Sequence, residues 1–116
     1  MNDHTRADYR DIIDALVHSC REGQGQIASR RARAGLWNQN AEDMPGEMPD
    51  QHAFNVLLRK LDVGDREVLA TMLAEQFESG VHEALVVLHE RSVPPFDEGY
   101  EGTPFHDFVG RIAGWE

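Results

Sequence analysis

Apolar residues recur every three or four positions along most of the chain, which is the spacing of a helix that buries one face. The first stripe lies between about Thr5 and Gly35. Its members are Tyr9, Ile12, Ile13, Leu16, Val17, Cys20 and Ile27. Acidic residues near its start, arginines near its end and Gly35 just beyond it suit the two ends of one long helix. Gly23 and Gly25 interrupt the stripe and indicate either a kink or a close contact with another backbone.

A short second helix is predicted over about residues 51–61, with Asp50 as its N-terminal cap. Its apolar face consists of Phe54, Leu57, Leu58 and Leu61. Residues 36–50, which precede it, contain two prolines, a glycine and several turn-forming residues. That composition predicts a long irregular loop.

A second long helix is predicted over residues 65–91, capped by Asp62 or Asp65. Its stripe consists of Leu69, Met72, Leu73, Phe77, Val81, Ala84, Leu85 and Leu88. Gly80 falls on the stripe without shifting its phase, so we expect one continuous helix. Gly23 and Gly80 are expected to mark where the two long helices touch, because a missing side chain permits close approach.

The last segment begins with a second irregular loop, residues 93–102, and continues as a short helix. Thr103 is expected to cap this helix, and Pro104 suits its first position. The docking face consists of Phe105, Phe108, Val109 and Ile112. No segment alternates as a strand does. The chain is therefore predicted to be all-α, a helical bundle of two long antiparallel helices plus two short helices, in one domain over residues 1–116.

The composition of the 116 residues is that of a globular protein, with 41% hydrophobic and 28% charged residues. The lone cysteine, Cys20, excludes an internal disulfide and falls on an apolar stripe, so a buried thiol is expected. No apolar run approaches the roughly 20 residues that span a bilayer, and the N-terminus does not resemble a signal peptide. A cytoplasmic protein is expected.

The net charge of −10 comes from 21 acidic and 11 basic residues, with the excess acid after residue 35. A field of that sign repels phosphate backbones and attracts basic proteins. Nucleic acid is therefore not expected as a partner, whereas a basic protein is. A membrane is not expected as a partner either, because no apolar run is long enough to span a bilayer.

Helical carboxylates and histidines offer one candidate chemistry. Asp11, Asp14 and His18 recur at i, i+3 and i+7, as do Glu75, Glu78 and His82. Di-metal bundles use Glu-x-x-His pairs that project into the core, and neither helix has such a pair. We therefore predict no metal, no cofactor and no catalytic residue. The alternative is a small metal- or ligand-dependent enzyme that uses Asp14 with His18 and Glu78 with His82.

Aromatic residues in and beside the loops offer another candidate site. They either fold back onto the core, contact a partner, or close a small-molecule cleft. Trp, Tyr and Arg are the residue types that dominate interface energetics. The predicted partner-binding residues are Trp37, Phe96, Tyr100, His106 and Arg111.

The C-terminal stretch GYEGTPFHDFVGRIAGW resembles the signature GYxGTPFHDFVGRxxGW of a family of small bacterial proteins of unknown function. DREVLATMLAEQFESGVHEALVVLHE resembles the long helix of the same family, and the resemblance covers roughly residues 50–115. It implies a compact helical domain of bacterial, cytosolic origin and carries over no activity.

Together these patterns predict a non-enzymatic protein-interaction domain, a regulatory or immunity-type partner of a basic protein. Two long and two short amphipathic helices leave much of the apolar stripe without cover. We therefore also expect the chain to self-associate through a long helix, as a homodimer.

Overall fold

A computed structural model describes residues 3–114, and all regular structure among them is helical. The six α-helices are α1 (Asp3–Glu22), α2 (Ile27–Ala34), α3 (Gln39–Asp43), α4 (Pro49–Lys60), α5 (Val63–Glu90) and α6 (Pro104–Ala113). The predicted all-α fold with two long helices, α1 and α5, is confirmed. None of the described helices is long and apolar enough to cross a membrane.

The first predicted helix is wrong in one respect, because it is two helices. A 3₁₀ turn, Gln24–Gln26, separates α1 from α2. A side chain at Gly23 would lie 3.2 Å from the Cα of Ser19 in the preceding turn of α1, so the glycine relieves crowding where the helix ends. The prediction that this helical segment ends at Gly35 is confirmed. Gly35 has φ +73° and donates its N–H to the carbonyls of Ala32 and Arg31.

The long helix α5 is continuous over 28 residues, as its stripe predicts. Asp62 supplies the cap, since its carboxylate accepts the N–H of Asp65 at 2.8 Å. The expectation that glycines mark a helix contact is wrong. A Cβ at Gly80 would meet no atom of the described chain within 4 Å, and the nearest atoms to one at Gly23 belong to α1 itself.

The segment predicted to be a loop, residues 36–50, contains a short helix that its amino-acid composition did not indicate. Asn38 begins α3 by accepting the N–H of Asn40 at 3.0 Å. The next helix, α4, begins at Pro49 without a side-chain cap, so the prediction of Asp50 as its cap is wrong. Asp50 lies inside the first turn, where a carboxylate still favours the positive end of the helix.

The described helices contribute to two compact units. Unit 1 combines Met1–Gly23 with Phe77–Glu116, and unit 2 is Gln24–Gln76. The single domain expected over residues 1–116 stays a prediction. The buried core of unit 1 takes residues from α1, α5 and α6. They are Tyr9, Ile13, Cys20, Leu85 and Phe108.

Unit 2 has a smaller apolar core, in which Ala32, Leu58 and Ala70 are the fully buried members. Buried polar side chains supplement it. The hydroxyl of Ser29 donates to the carbonyl of Ala70 at 2.6 Å and ties α2 to α5. Because two of the three buried apolar residues are alanines, the core removes little apolar surface from water.

A second polar residue, Asn55, ties α4 to the chain before α3. Its side-chain oxygen accepts the N–H groups of Trp37 at 2.7 Å and Asn38 at 3.0 Å, and its amide nitrogen donates to the carbonyl of Asn38 at 2.8 Å. Asn55 is fully buried, so these bonds replace the water that its amide and the two backbone groups lose. The segment that carries Trp37 is thereby fixed.

Gly35 provides a test of the turn between α2 and α3. We expect Gly35→Ala to lower the free energy of unfolding by about 1–3 kcal/mol, because alanine is strained at a positive φ. A Cβ there would also lie 2.5 Å from the guanidinium of Arg66, whose Nε donates to the carbonyl of Leu58. Urea denaturation measures the change.

The matched control is Gly46→Ala, where a Cβ would meet nothing within 4 Å and φ is not positive. That variant should be unchanged or more stable by up to about 1 kcal/mol. Equal midpoints for the two variants would contradict this account of the turn.

Candidate functional site

A buried carboxylate holds the loop 93–102 against the first turn of α6. Asp107 is only 6% exposed and accepts the backbone N–H groups of Tyr100, Glu101 and Gly102 at 2.7, 3.0 and 2.9 Å. Three consecutive N–H groups directed at one carboxylate form an anion-binding nest that the chain fills with its own side chain. The loop is therefore fixed by charge-assisted hydrogen bonds.

Tyr9 of α1 donates a fourth hydrogen bond to Asp107 through its hydroxyl. The side chain of Tyr9 is fully buried. Burial raises the pKa of Tyr9 far above its usual value of 10.0, and the hydrogen bond and charge of Asp107 raise it further. The phenol therefore stays a neutral donor. The cavity beside the pair has a volume of about 10 Å³, which is room for about one water molecule and none for a substrate.

Tyr100 and Arg111, two of the predicted partner-binding residues, line that small cavity in unit 1. The ring of Tyr100 lies under two guanidinium groups, with the Cζ atoms of Arg6 and Arg10 at 5.3 and 4.6 Å from its centroid. Arg111 donates a hydrogen bond from Nε to one oxygen of Asp14 at 2.8 Å, and its Nη2 forms an ion pair with the same oxygen at 2.7 Å. Both side chains thus have partners within unit 1.

Phe96 and His106 occupy different environments in the same unit. Phe96 packs on the core of unit 1, with its ring centroid 6.0 Å from that of Tyr9, and its carbonyl lies 3.0 Å from Nδ1 of His89. His106 is exposed at the start of α6, where its N–H is accepted by Thr103 at 3.3 Å. This bond confirms Thr103 as the cap. Partner binding by these residues stays a prediction.

Trp37, the remaining predicted residue, lies in unit 2 and lines an apolar groove between α4 and α5. The Cζ of Arg31 lies 5.6 Å from the centroid of its ring, and the ring centroid of Phe54 lies 6.1 Å away with the two ring planes at 82°. The groove has a volume of about 220 Å³. Its lining side chains are Trp37, Phe54, Leu57, Leu58, Leu69 and Leu73.

The walls of this groove are open to solvent. Phe54 and Leu57 of α4 are 43% and 53% exposed. On α5 the lining residues Leu69 and Leu73 are half-buried, and Val68 and Met72, which precede them in the sequence, are 61% and 56% exposed. Exposed apolar side chains that line one groove are a surface feature that often marks an interface. Among the described residues no charged side chain lines the groove, so it offers no group for acid–base chemistry.

The groove residues other than Trp37 were missed as a site by sequence reasoning. Phe54, Leu57 and Leu73 have the helical spacing of core residues and were assigned to buried faces. The available signal was the count of helices, because two short helices cannot cover both long stripes. That signal predicts uncovered apolar surface without saying where it lies.

The carboxylate–histidine pairs of the enzyme alternative, Asp14 with His18 and Glu78 with His82, all lie in unit 1. Asp14 and His18 line a wide surface cavity of about 490 Å³, where Asp14 pairs with Arg111 and His18 with Glu22. His82 packs edge-on against Phe105 at 5.5 Å. Across residues 3–114 no group of three or more Asp, Glu, His or Cys side chains is placed to hold a metal ion. The alternative stays a prediction.

We refer to the four hydrogen bonds that Asp107 accepts as the Asp107 clamp. The variant Asp107→Asn tests how much this clamp on the loop 93–102 stabilises the protein. The amide leaves one accepting oxygen for four donors, so at least one buried donor loses its acceptor at a cost of about 1–3 kcal/mol. Asp97→Asn is the control, because Asp97 is exposed in the same loop. That control should change the free energy of unfolding by about 0.5 kcal/mol or less. Equal urea midpoints for the two variants would show that the clamp carries no stability.

The raised pKa of the Tyr9 phenol predicts that the folded protein loses stability at alkaline pH. Its pKa is raised in the folded protein, so the stability it contributes is present below pH 10.0 and falls as pH rises above that value. The fall reaches about 1.4 kcal/mol per pH unit for one group. We expect a shallower fall for Tyr9→Phe when urea midpoints are measured from pH 8 to 11.

Cys20 adds to the alkaline loss in both proteins, because burial and then the charge of Glu78 raise the pKa of its thiol above the usual 9.0. Its contribution cancels in the comparison of wild type with Tyr9→Phe. Parallel stability curves above pH 10 would therefore contradict the assignment to Tyr9.

Comparison with known proteins identifies a family for this chain but indicates no activity. No curated protein and no solved structure matches the chain. A family profile matches residues 2–116, which extends well beyond the C-terminal part in which the resemblance was expected. The chain belongs to that family, a family of unknown function (DUF6547).

Proposed function

We propose that this chain is a protein-interaction domain that accepts the apolar side chains of another polypeptide in the groove between α4 and α5. The observation that carries the proposal is the exposure of the groove walls. Phe54 and Leu57 are 43% and 53% exposed, so each keeps more than two fifths of its surface in water. Covering such side chains is favourable by about 25 cal/mol per Å² of apolar area.

The size and lining of the groove favour a polypeptide over a small molecule. Sites for small molecules usually enclose about 300–1,000 Å³ and place a few polar groups to orient the ligand. This groove has a volume of about 220 Å³ and an apolar lining. It suits one or two protruding side chains, as when an amphipathic helix binds between two others.

Two occupants follow from the sequence: a basic protein, to which this chain would be a regulatory or immunity-type partner, and a second copy of the chain. Trp37 is the predicted partner-binding residue that belongs to the groove. It is also the best anchored, since Asn55 accepts its backbone N–H and Arg31 stacks on its ring. A fixed aromatic wall loses little conformational entropy on binding.

Site-specific cross-linking tests whether the groove is an interface. We expect p-benzoylphenylalanine in place of Leu57 to give a discrete adduct on irradiation of cells that naturally produce the protein. The same photoreactive residue in place of Val87 is the control, because Val87 is 46% exposed on the part of α5 that belongs to unit 1. Gel mobility and mass spectrometry of the adducts measure the outcome.

An adduct at position 57 that disappears when Phe54→Gln is added supports the proposal, whether the captured chain is this protein or another. No adduct at position 57, or the same adduct in equal yield at position 87, would overturn it. Urea midpoints within about 1 kcal/mol of wild type show that the half-exposed position tolerates the change.

A further inference from the structure

We infer that Tyr100 is a phosphorylation site, at which the added phosphoryl group is held by the guanidinium groups of Arg6 and Arg10. The inference concerns unit 1 and is independent of the groove in unit 2, to which the proposed function is confined. It is carried by the exposure of Tyr100, by the contacts of its ring and by the hydrogen bonds that fix its backbone.

Tyr100 is the accessible tyrosine of a chain that has two. It is 38% exposed in the irregular loop 93–102, whereas Tyr9 is fully buried and donates its hydroxyl to Asp107. A kinase has to bring the phenol oxygen of its substrate into line with the terminal phosphate of a nucleoside triphosphate. The fold therefore exposes one tyrosine to such an enzyme and buries the other.

Two arginines of α1 already contact the ring of Tyr100. Arg6 and Arg10 lie four residues apart and share one side of the helix, with their Cζ atoms 5.3 and 4.6 Å from the ring centroid. The phenol oxygen is bonded to that same ring. A phosphoryl group on this oxygen comes within reach of both guanidinium groups through side-chain rotation alone.

The chemical step is a phosphoryl transfer from a nucleoside triphosphate, catalysed by a tyrosine kinase. The phenol oxygen of Tyr100 forms a bond to the γ-phosphorus while the bond from that phosphorus to the nucleoside diphosphate breaks, and the phenolic proton passes to the base of the kinase. The product carries a charge of about −1.5 to −2 and three acceptor oxygens. Opposite two arginines, these oxygens accept charge-assisted hydrogen bonds.

The two carboxylates that share the small cavity with Tyr100 are already occupied. Asp107 is buried and accepts the four hydrogen bonds of the Asp107 clamp, and Asp14 pairs with Arg111. Because the clamp holds the backbone N–H of Tyr100, the loop keeps one conformation, in which the ring lies against the arginines. A phosphoryl group would add a second attachment between the loop and α1.

The loop itself supplies acidic residues on both sides of the tyrosine. Asp97, Glu98 and Glu101 are exposed, in the sequence DEGYEG. An acidic sequence of this kind attracts a kinase whose substrate groove is basic. Repulsion of the phosphate by these exposed carboxylates acts through solvent and is screened by salt, whereas the guanidinium groups of Arg6 and Arg10 contact the ring directly.

Mass spectrometry of the protein purified from cells that naturally produce it, with phosphatase inhibitors present, tests the modification. We expect a phosphoryl group on Tyr100 that a phosphatase removes, and none on Tyr9. Unmodified Tyr100 in both growing and stationary cells would overturn the inference, as would a modification that the phosphatase does not remove.

Phosphotyrosine incorporated at position 100 during translation tests the contact with the arginines. We expect the urea midpoint to rise by about 0.5 M or more relative to the unmodified protein. The rise should be lost in the double variant Arg6→Gln, Arg10→Gln and kept in the matched control Arg21→Gln, Arg91→Gln. Arg21 and Arg91 are exposed in the same unit. An equal rise in both double variants, or no rise in the wild type, would overturn the inference.

Phosphorus NMR reports on the same contact without unfolding the protein. The second ionisation of a phosphorylated tyrosine occurs near about pH 6. We expect it at lower pH in the wild type than in the double variant Arg6→Gln, Arg10→Gln, because neighbouring cations favour the dianion. Equal titration midpoints would show that the arginines do not hold the phosphoryl group and would overturn the inference.

Discussion

The length of α5 is the constraint on which the rest of the structure depends. Its 28 residues contribute to both apolar cores, with Leu85 in unit 1 and Ala70 in unit 2. The helices that pack on it in unit 2 are α2 and α4, of 8 and 12 residues. Helices of that size cover one side of the segment and leave Val68 and Met72 in water. The apolar groove is therefore a consequence of how many helices the chain has.

Hydrogen bonds from buried polar groups fix segments of this chain that a larger apolar core would fix in other proteins. Asp107 fixes the second loop, and Asn55 and Ser29 fix the segments around α2 and α3. No buried side-chain nitrogen or oxygen in the described chain lacks a hydrogen-bond partner, so each of these groups stabilises its surroundings. The loop aromatics are held as a result. Phe96 belongs to the core of unit 1, and Trp37 forms a fixed wall of the groove.

Helical periodicity and end signals predict those parts of the fold that are local in sequence. The continuity of α5, the cap at Thr103 and the positive φ of Gly35 are of this kind. The short helix after Asn38 and the Asp107 clamp are not, and the local sequence indicated the break at Gly23 only as one of two readings, a kink or a close contact. Asp107 and Tyr9 are separated by 98 positions, and no local sequence pattern predicts a hydrogen bond between residues so far apart. Periodicity likewise identifies the apolar face of Phe54 and Leu57, but whether that face is covered depends on helices elsewhere in the chain.

The charges of unit 2 do not select a partner for its apolar groove. Unit 2 carries eight acidic and six basic residues, and the pairing of Arg33 with Glu67 and of Arg59 with Glu42 leaves that balance unchanged. Arg31 keeps its charge beside the groove wall Trp37. The hydrophobic effect has no direction, so an apolar lining does not distinguish one apolar side chain from another. Any selectivity of the proposed interface therefore has to come from the shape of the groove and from the fixed ring of Trp37.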